Sequence, residues 1–205
     1  MFCLTPDNPA PLISAAAPRA GGWPFGALLP LRYRVIVADP PWHFDLYSER
    51  GNAKSPQAHY ATMPTAEIEA LPVGHLAAGD CVLALWATAP MLPVACRVLV
   101  AWGFRYVTFD AWAKQSRTGR HWAFGPGYVF RTAAEICLIG KMGSLSQNSH
   151  SERNLIVAPV RRHSQKPEEL QAQLERMYEG PYAELFARRR RPGWSAWGDQ
   201  LPEAE

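Results

Sequence analysis

Apolar runs recur along the chain, and their internal period changes from one run to the next. Val35-Ile36-Val37-Ala38 carries β-branched bulk with no polar alternation, which predicts a strand covered on both faces of a sheet. Cys81-Val82-Leu83-Ala84-Leu85-Trp86 predicts a second strand of the same kind. Phe104 to Trp112 and Arg131 to Ile139 predict a third and a fourth, Asn154 to Ala158 a short fifth, and Tyr182 to Ala187 the last long one. Between these runs the period lengthens. Thr65 suits the N-cap of a short helix through Leu71, stopped by Pro72. Thr88 can cap a helix over Ala89 to Trp102, with Pro90 in its first turn, Gly103 at its end and Arg97 as its single charge. Such an apolar helix packs between layers or against a partner. Pro167 at the first helical position, Glu168 and Glu169 in the first turn, and Leu170, Leu174 and Met177 on one face define another helix, with Gly180 past its end. Strands alternating with helices predict a mostly parallel α/β sheet of three layers.

The intervening stretches divide the chain. Residues 1–30 are rich in Pro, Ala and Gly without a sustained period, and are expected to be a loosely ordered arm ahead of a single domain over residues 31–205. Within the arm, Trp23-Pro24-Phe25-Gly26 reads as a segment that docks on the core. His43 to Ala58 is a long polar loop, and Lys114 to Tyr128 a basic one containing glycine. A loop of such length in a compact domain is functional or disordered.

Composition narrows the class without naming a function. A chain of 205 residues with 48% hydrophobic and 19% charged residues folds as one ordinary domain. A net charge of +3 and a pI near 8.7 permit a nucleic-acid partner without demanding one. Cys3, Cys81, Cys96 and Cys137 show no CxxC spacing, and three of them fall in or beside predicted core segments. That favours reduced thiols and a cytoplasmic location, with no zinc site. No apolar run approaches the roughly 18 residues of a membrane span, and no signal-peptide order opens the chain, so no membrane partner is expected.

The chemistry is concentrated after the first strand, where Asp39-Pro40-Pro41-Trp42 ends the apolar run in a carboxylate, two prolines and an indole. The prolines cannot donate to a ladder and they restrict their neighbours, so Asp39 and Trp42 are expected on a stiff corner at the strand's carboxyl end. That is the edge at which open α/β sheets bind ligands. Asp39 and the Pro40 carbonyl, freed from any ladder, are two acceptors beside the flat face of Trp42, a combination that suits the exocyclic amine of a heteroaromatic base. No second carboxylate or His stands nearby at metal-ligand spacing, so no metal is expected. A strand followed by a plain proline turn remains the alternative at this point.

Four landmarks in order resolve that alternative. They are Asp39-Pro40-Pro41-Trp42, His59-Tyr60-Ala61-Thr62-Met63, Ser164-Gln165-Lys166-Pro167-Glu168, and Glu184-Leu185-Phe186-Ala187-Arg188 closing on Trp197-Gly198-Asp199-Gln200-Leu201. From Tyr33 to Leu201 the chain resembles the DPPW-type, MT-A70-like adenine-N6 methyltransferases of the β group, in their bacterial or phage branch. The resemblance implies a Rossmann-like methyltransferase fold using S-adenosylmethionine, permuted so that the catalytic strand precedes the cofactor-binding strand. It implies Asp39, Pro40, Pro41 and Trp42 as catalytic residues. It places the cofactor at Asp39, Lys166, Arg188, Arg190, Asp199 and Gln200, and the acceptor base at Trp42, Tyr60, Lys114 and Glu135. The chain departs from the family pattern in an arginine-rich 188–194 loop that is shorter than in the eukaryotic enzyme, and in Asp199 where many members carry Asn.

The activity implied is methyl transfer to the N6 amine of adenine in nucleic acid. DNA is preferred because no eukaryotic-type accessory region is evident, with RNA, cytosine-N4 transfer in DNA, or a silent nucleic-acid-binding subunit as alternatives. Arg117, Arg120, Arg153, Arg161, Arg162 and Arg188 to Arg191 could form a phosphate-tracking rim. Glu135 could instead pair with Arg131 or Lys141, and the apolar helix over Ala89 to Trp102 leaves a homodimer open.

Overall fold

The computed structural model describes residues 22–43, 62–127, 129–162 and 164–202. Its strands are β1 (Tyr33–Ala38), β2 (Ala77–Ala87), β3 (Arg105–Gln115), β4 (Ala134–Met142), β5 (Leu155–Pro159), β6 (Tyr182–Leu185) and β7 (Trp194–Trp197). Its helices are α1 (Thr65–Ala70), α2 (Leu92–Ala101) and α3 (Glu169–Met177). The strands form one sheet in the order β5-β3-β4-β2-β1-β6-β7. β4 is antiparallel to both of its neighbours, and every other pairing is parallel. All strands but β4 therefore end at one edge, and β4 begins there.

Two apolar layers sandwich the sheet, as the unalternating runs require. Ile36 and Ala38 of β1 and Leu83 and Leu85 of β2 face Ile68 of α1 and Ala95, Val98 and Leu99 of α2. Val35 and Val37, with Val82, Ala84 and Trp86, face Leu170 and Leu174 of α3. The three-layer α/β expectation holds. Burial of Ala95, Val98 and Leu99 accounts for one face of α2, whereas Val100 remains 51% exposed.

Local boundaries moved where packing overrode sequence cues. Pro64, not Thr65, occupies the N-cap of α1. Thr88 makes no capping hydrogen bond, because Ala89–Met91 first forms a 3-10 turn and α2 starts only at Leu92. β3 runs to Gln115, which places Lys114 inside a strand and not in a loop. Beyond it the chain stays roughly antiparallel through Gln115↔Trp122 and Gly125↔Thr132 bridges. The fourth strand is displaced to Ala134–Met142 by pairing with both β2 and β3. β7 is a strand the apolar pattern did not predict, being only four residues long.

The end of the arm is docked, not loose. Phe25 is fully buried and meets Trp197 edge-on at 5.1 Å, and the Trp23 indole donates to the Leu28 carbonyl at 2.6 Å. Residues 1–21 lie outside the described residues.

Candidate active site

The sheet edge where the parallel strands end gathers the predicted polar residues. Asp39 follows β1, Lys114 lies at the end of β3, Lys166 stands between β5 and α3, and Arg188 follows β6. Glu135 joins them because β4 runs the other way and therefore enters the sheet at this edge, opposite Trp112. Tyr60 falls outside the described residues.

Four of these side chains form an alternating chain of charge. Lys166 Nζ lies 2.9 Å from Asp39 Oδ1 and 3.0 Å from Oδ2. The same ammonium is 3.3 Å from Glu135 Oε2, and Lys114 Nζ donates to Glu135 Oε1 at 2.5 Å. Glu135 thus pairs with Lys114 and Lys166 and not with Arg131 or Lys141, since its strand direction turns it toward the edge where the parallel strands end. Side-chain exposures of 13% for Lys166 and Glu135 and 15% for Lys114 make these pairs far less screened than surface pairs.

Two opposing effects set the protonation of this cluster. Burial alone pulls the Lys166 ammonium down, but Asp39 and Glu135 outweigh it and the net shift is upward. Burial alone raises the Glu135 carboxyl, but Lys166 and Lys114 outweigh it and hold it below the usual range. The floor under the lysines is aromatic. Lys166 Nζ is 5.9 Å from the Trp86 ring centroid and Lys114 Nζ 4.9 Å from that of Trp112, and the two indoles meet edge to face. Neither tryptophan was singled out from the sequence. Each read as an ordinary core residue, and only strand pairing places it beneath a charge.

The proline corner differs from expectation in two respects. Trp42 is 5% exposed, and its indole donates to the Trp86 carbonyl at 3.0 Å. It is therefore a wedge that ties the end of β1 to the end of β2, and it presents no open face to a planar ring. The Pro40 carbonyl accepts from the Trp42 amide at 2.8 Å, so one of its two lone pairs is engaged. Pro41 accepts from Met63 N at 2.9 Å, which joins the corner to the second landmark.

The segments that bring in Lys166 and Arg188 both carry a left-handed, non-glycine residue, Ser164 and Phe186, each at φ 58°. Such conformations persist only where surrounding structure enforces them. The arginine run is largely committed. Arg189 and Arg191 pair with Glu168, and Arg191 also makes two bonds to Glu175, at 2.9 and 2.8 Å. Arg161 pairs with Glu168 and Glu169. These three arginines therefore fasten α3 to its surroundings instead of forming a free rim, while Arg117, Arg120, Arg162 and Arg190 are exposed. Arg188 is half-buried, and Asp199 and Gln200 sit exposed in the turn after β7. That turn lies close against the end of β6: Ala187 N donates to Trp197 O at 2.9 Å. Among the described residues no cluster of His, Cys, Asp and Glu could hold a metal ion, and no helix is long and apolar enough to cross a membrane.

The chain is similar to known proteins along most of its length. The MT-A70 family model matches residues 33–200. The putative N(6)-adenosine-methyltransferase MT-A70-like of Medicago truncatula is 34% identical over 179 residues, which is 83% of this chain and 26% of that protein. The N(6)-adenosine-methyltransferase catalytic subunit METTL3 of Homo sapiens is 31% identical over 83% of this chain and 28% of its own length. The Type II methyltransferase M.MunI of Mycoplasma sp is 28% identical over 84% of this chain and 79% of its own length. The chain thus spans about a quarter of the plant and human relatives and most of the bacterial one.

Proposed function

The chain belongs to the MT-A70 family, and on that premise we propose that it transfers a methyl group from S-adenosylmethionine to the N6 amine of adenine in nucleic acid. The observation that carries this reading is the Asp39 carboxylate held against the Lys166 ammonium at the ligand-binding edge of the sheet.

The residues at that edge suit the donor. A buried, firmly protonated Lys166 fits its carboxylate, and Asp39 fits a cationic or N–H partner. Thr88 Oγ1, at the end of β2, is buried without a hydrogen-bond partner and offers further polar capacity. Arg188, Arg190, Asp199 and Gln200 stand on the adjoining β6 and β7 ends, where the adenosine portion would lie. When bound, the donor supplies an electrophilic methyl group on a sulfonium.

The protein's own contribution is placement. An adenine amine is a poor nucleophile because its lone pair is delocalised into the ring. Asp39, accepting from an N–H of that amine, favours a more tetrahedral nitrogen, and the remaining lone pair of the Pro40 carbonyl can accept from the other. Pro41 and Trp42 act by holding this corner against Met63 and Trp86, so that the acceptors do not move. Lys166 keeps its proton and is not the base, and the Asp39 carboxylate, which faces the amine in this reading, can accept the proton the amine sheds.

The exposed hairpin between β3 and β4 supports nucleic acid as the partner. Residues 116–133 contain Arg117, Arg120 and Arg131 with no acidic residue, together with the exposed rings of Trp122, Phe124 and Phe130. DNA is the preferred acceptor because the chain spans 79% of M.MunI, and RNA is the alternative because the plant and animal relatives are named as adenosine methyltransferases. A base inside a duplex must be extruded to reach this edge. Incubation with labelled donor and either DNA or RNA, followed by nucleoside mass spectrometry, tests the reading. N6-methyladenine is expected, and its absence from both polymers would overturn the proposal.

A further inference from the structure

The Asp39–Lys166 pair sets two demands on one carboxylate. Lys166 contacts both oxygens of Asp39, so the carboxylate meant to receive an amine is already engaged by an ammonium. Lys166 cannot simply withdraw, because a buried ammonium without a carboxylate is strongly disfavoured. Glu135 resolves the conflict. Its Oε2 lies 3.3 Å from Lys166 Nζ and is otherwise without a hydrogen-bond partner, so it has acceptor capacity in reserve. Its placement does not depend on Asp39. Glu135 sits on β4, separated from β1 by β2, and is anchored through Oε1 by Lys114 at 2.5 Å.

Resting on the function proposed above, we infer that Glu135 is a positioning residue that keeps the Lys166 ammonium seated while Lys166 exchanges Asp39 for the donor's carboxylate, so that donor binding uncovers Asp39 for the acceptor amine. Among the described residues, Asp39 and Glu135 are the carboxylates paired with Lys166. The ammonium therefore always retains one carboxylate during the exchange, and the Trp86 face beneath it limits where it can go. Glu135 touches neither ligand in this role, in contrast to the acceptor-base contact that the family resemblance implies for it. The consequence is thermodynamic coupling. A ligand that draws Lys166 off Asp39 strengthens binding of an adenine base, and reciprocity requires the converse.

Calorimetry with S-adenosylhomocysteine, which carries the same carboxylate and no transferable methyl, reads the first half. Fluorescence anisotropy with a single-stranded, adenine-containing oligonucleotide, with and without saturating S-adenosylhomocysteine, reads the second. The wild-type protein is expected to bind the oligonucleotide at least fivefold more tightly when S-adenosylhomocysteine is present. Glu135→Gln is expected to weaken S-adenosylhomocysteine about tenfold and to abolish the coupling, while its affinity for the oligonucleotide without S-adenosylhomocysteine changes by no more than about threefold. An equal loss of oligonucleotide affinity in Glu135→Gln without S-adenosylhomocysteine would overturn the inference, because Glu135 would then be only a stitch between β3 and β4 whose removal disturbs the whole edge. Absence of coupling in the wild type overturns it with no variant needed. Failure of the wild type to bind S-adenosylhomocysteine at all would remove the donor reading as well, whereas binding without coupling removes only the role given to Glu135.

Discussion

Lys166 Nζ lies 2.9 Å from Asp39 Oδ1 although the two residues are 127 positions apart in the chain. One ion pair thus joins the corner after β1, the proposed acceptor side, to the segment before α3, the proposed donor side. Asp39→Asn preserves shape and removes the charge that the proposed mechanism assigns to holding the acceptor amine. Transfer is expected to fall by about 10²- to 10³-fold. Affinity for S-adenosylhomocysteine should change by about threefold at most, because Lys166 keeps Glu135. Lys166→Met should weaken that affinity about tenfold or more. Initial rates and calorimetry check both variants, and equal loss of rate and affinity in Asp39→Asn would refute the division of roles.

Asp110 on β3 makes stability depend on pH. It is 6% exposed, and burial raises its carboxyl from 3.8 to about 6 against the opposing hydrogen bond from Ala111 N at 2.8 Å. The folded chain therefore binds this proton more tightly than the unfolded chain, and the contribution of Asp110 to stability declines as pH rises from about 4 to about 6. Asp110→Asn keeps an oxygen for Ala111 and is expected to stabilise the fold at pH 7 by about 2 kcal/mol. Urea melts across this interval should show a smaller decline for the variant; identical curves would show that the carboxyl ionises freely.

Trp122 is 63% exposed on the basic hairpin. Trp122→Ala should leave unfolding free energy within about 0.5 kcal/mol of the parent. It should weaken a single-stranded oligonucleotide by about fivefold or more, since one stacked base is worth roughly 1–3 kcal/mol. Arg117→Ala combined with Arg162→Ala should lower the slope of log affinity against log salt by about 0.7 for each phosphate that is no longer neutralised. Anisotropy titrations at several salt concentrations measure both effects, and unchanged binding in the tryptophan variant would exclude stacking there.

Gly198 fits where no side chain can. A Cβ at this position would lie 2.6 Å from Ala187 N and closer still to Ala187 O. Gly198→Ala must therefore push the Asp199 and Gln200 turn away from the end of β6, at a cost of about 1–3 kcal/mol. A lower melting temperature and several-fold weaker S-adenosylhomocysteine binding are expected. A variant that loses stability but binds normally would separate this turn from the donor site.

Much of the fold was determined by local pattern. The unalternating runs at Val35–Ala38 and Cys81–Trp86 required cover on both faces, and α1–α2 and α3 supply it. The prolines after Asp39 stopped β1 where expected, and the cues around Pro167 located α3 to within two residues, at Glu169. Pattern reports burial along a segment but carries no strand direction, so it could not show that β4 runs against its neighbours and delivers Glu135 to the edge that holds Asp39 and Lys166. Nor could it show that Arg189 and Arg191 spend their charge on Glu168 and Glu175, that Trp42 turns inward to Trp86, or that Trp86 and Trp112 floor two ammonium groups. By itself the sequence determined the layers, the family and the residue types available for chemistry. The tertiary structure alone decided which of those residues share a charge, because an ion pair depends on separation in space, and Asp39 and Lys166 become neighbours only when the sheet brings their strand ends to one edge.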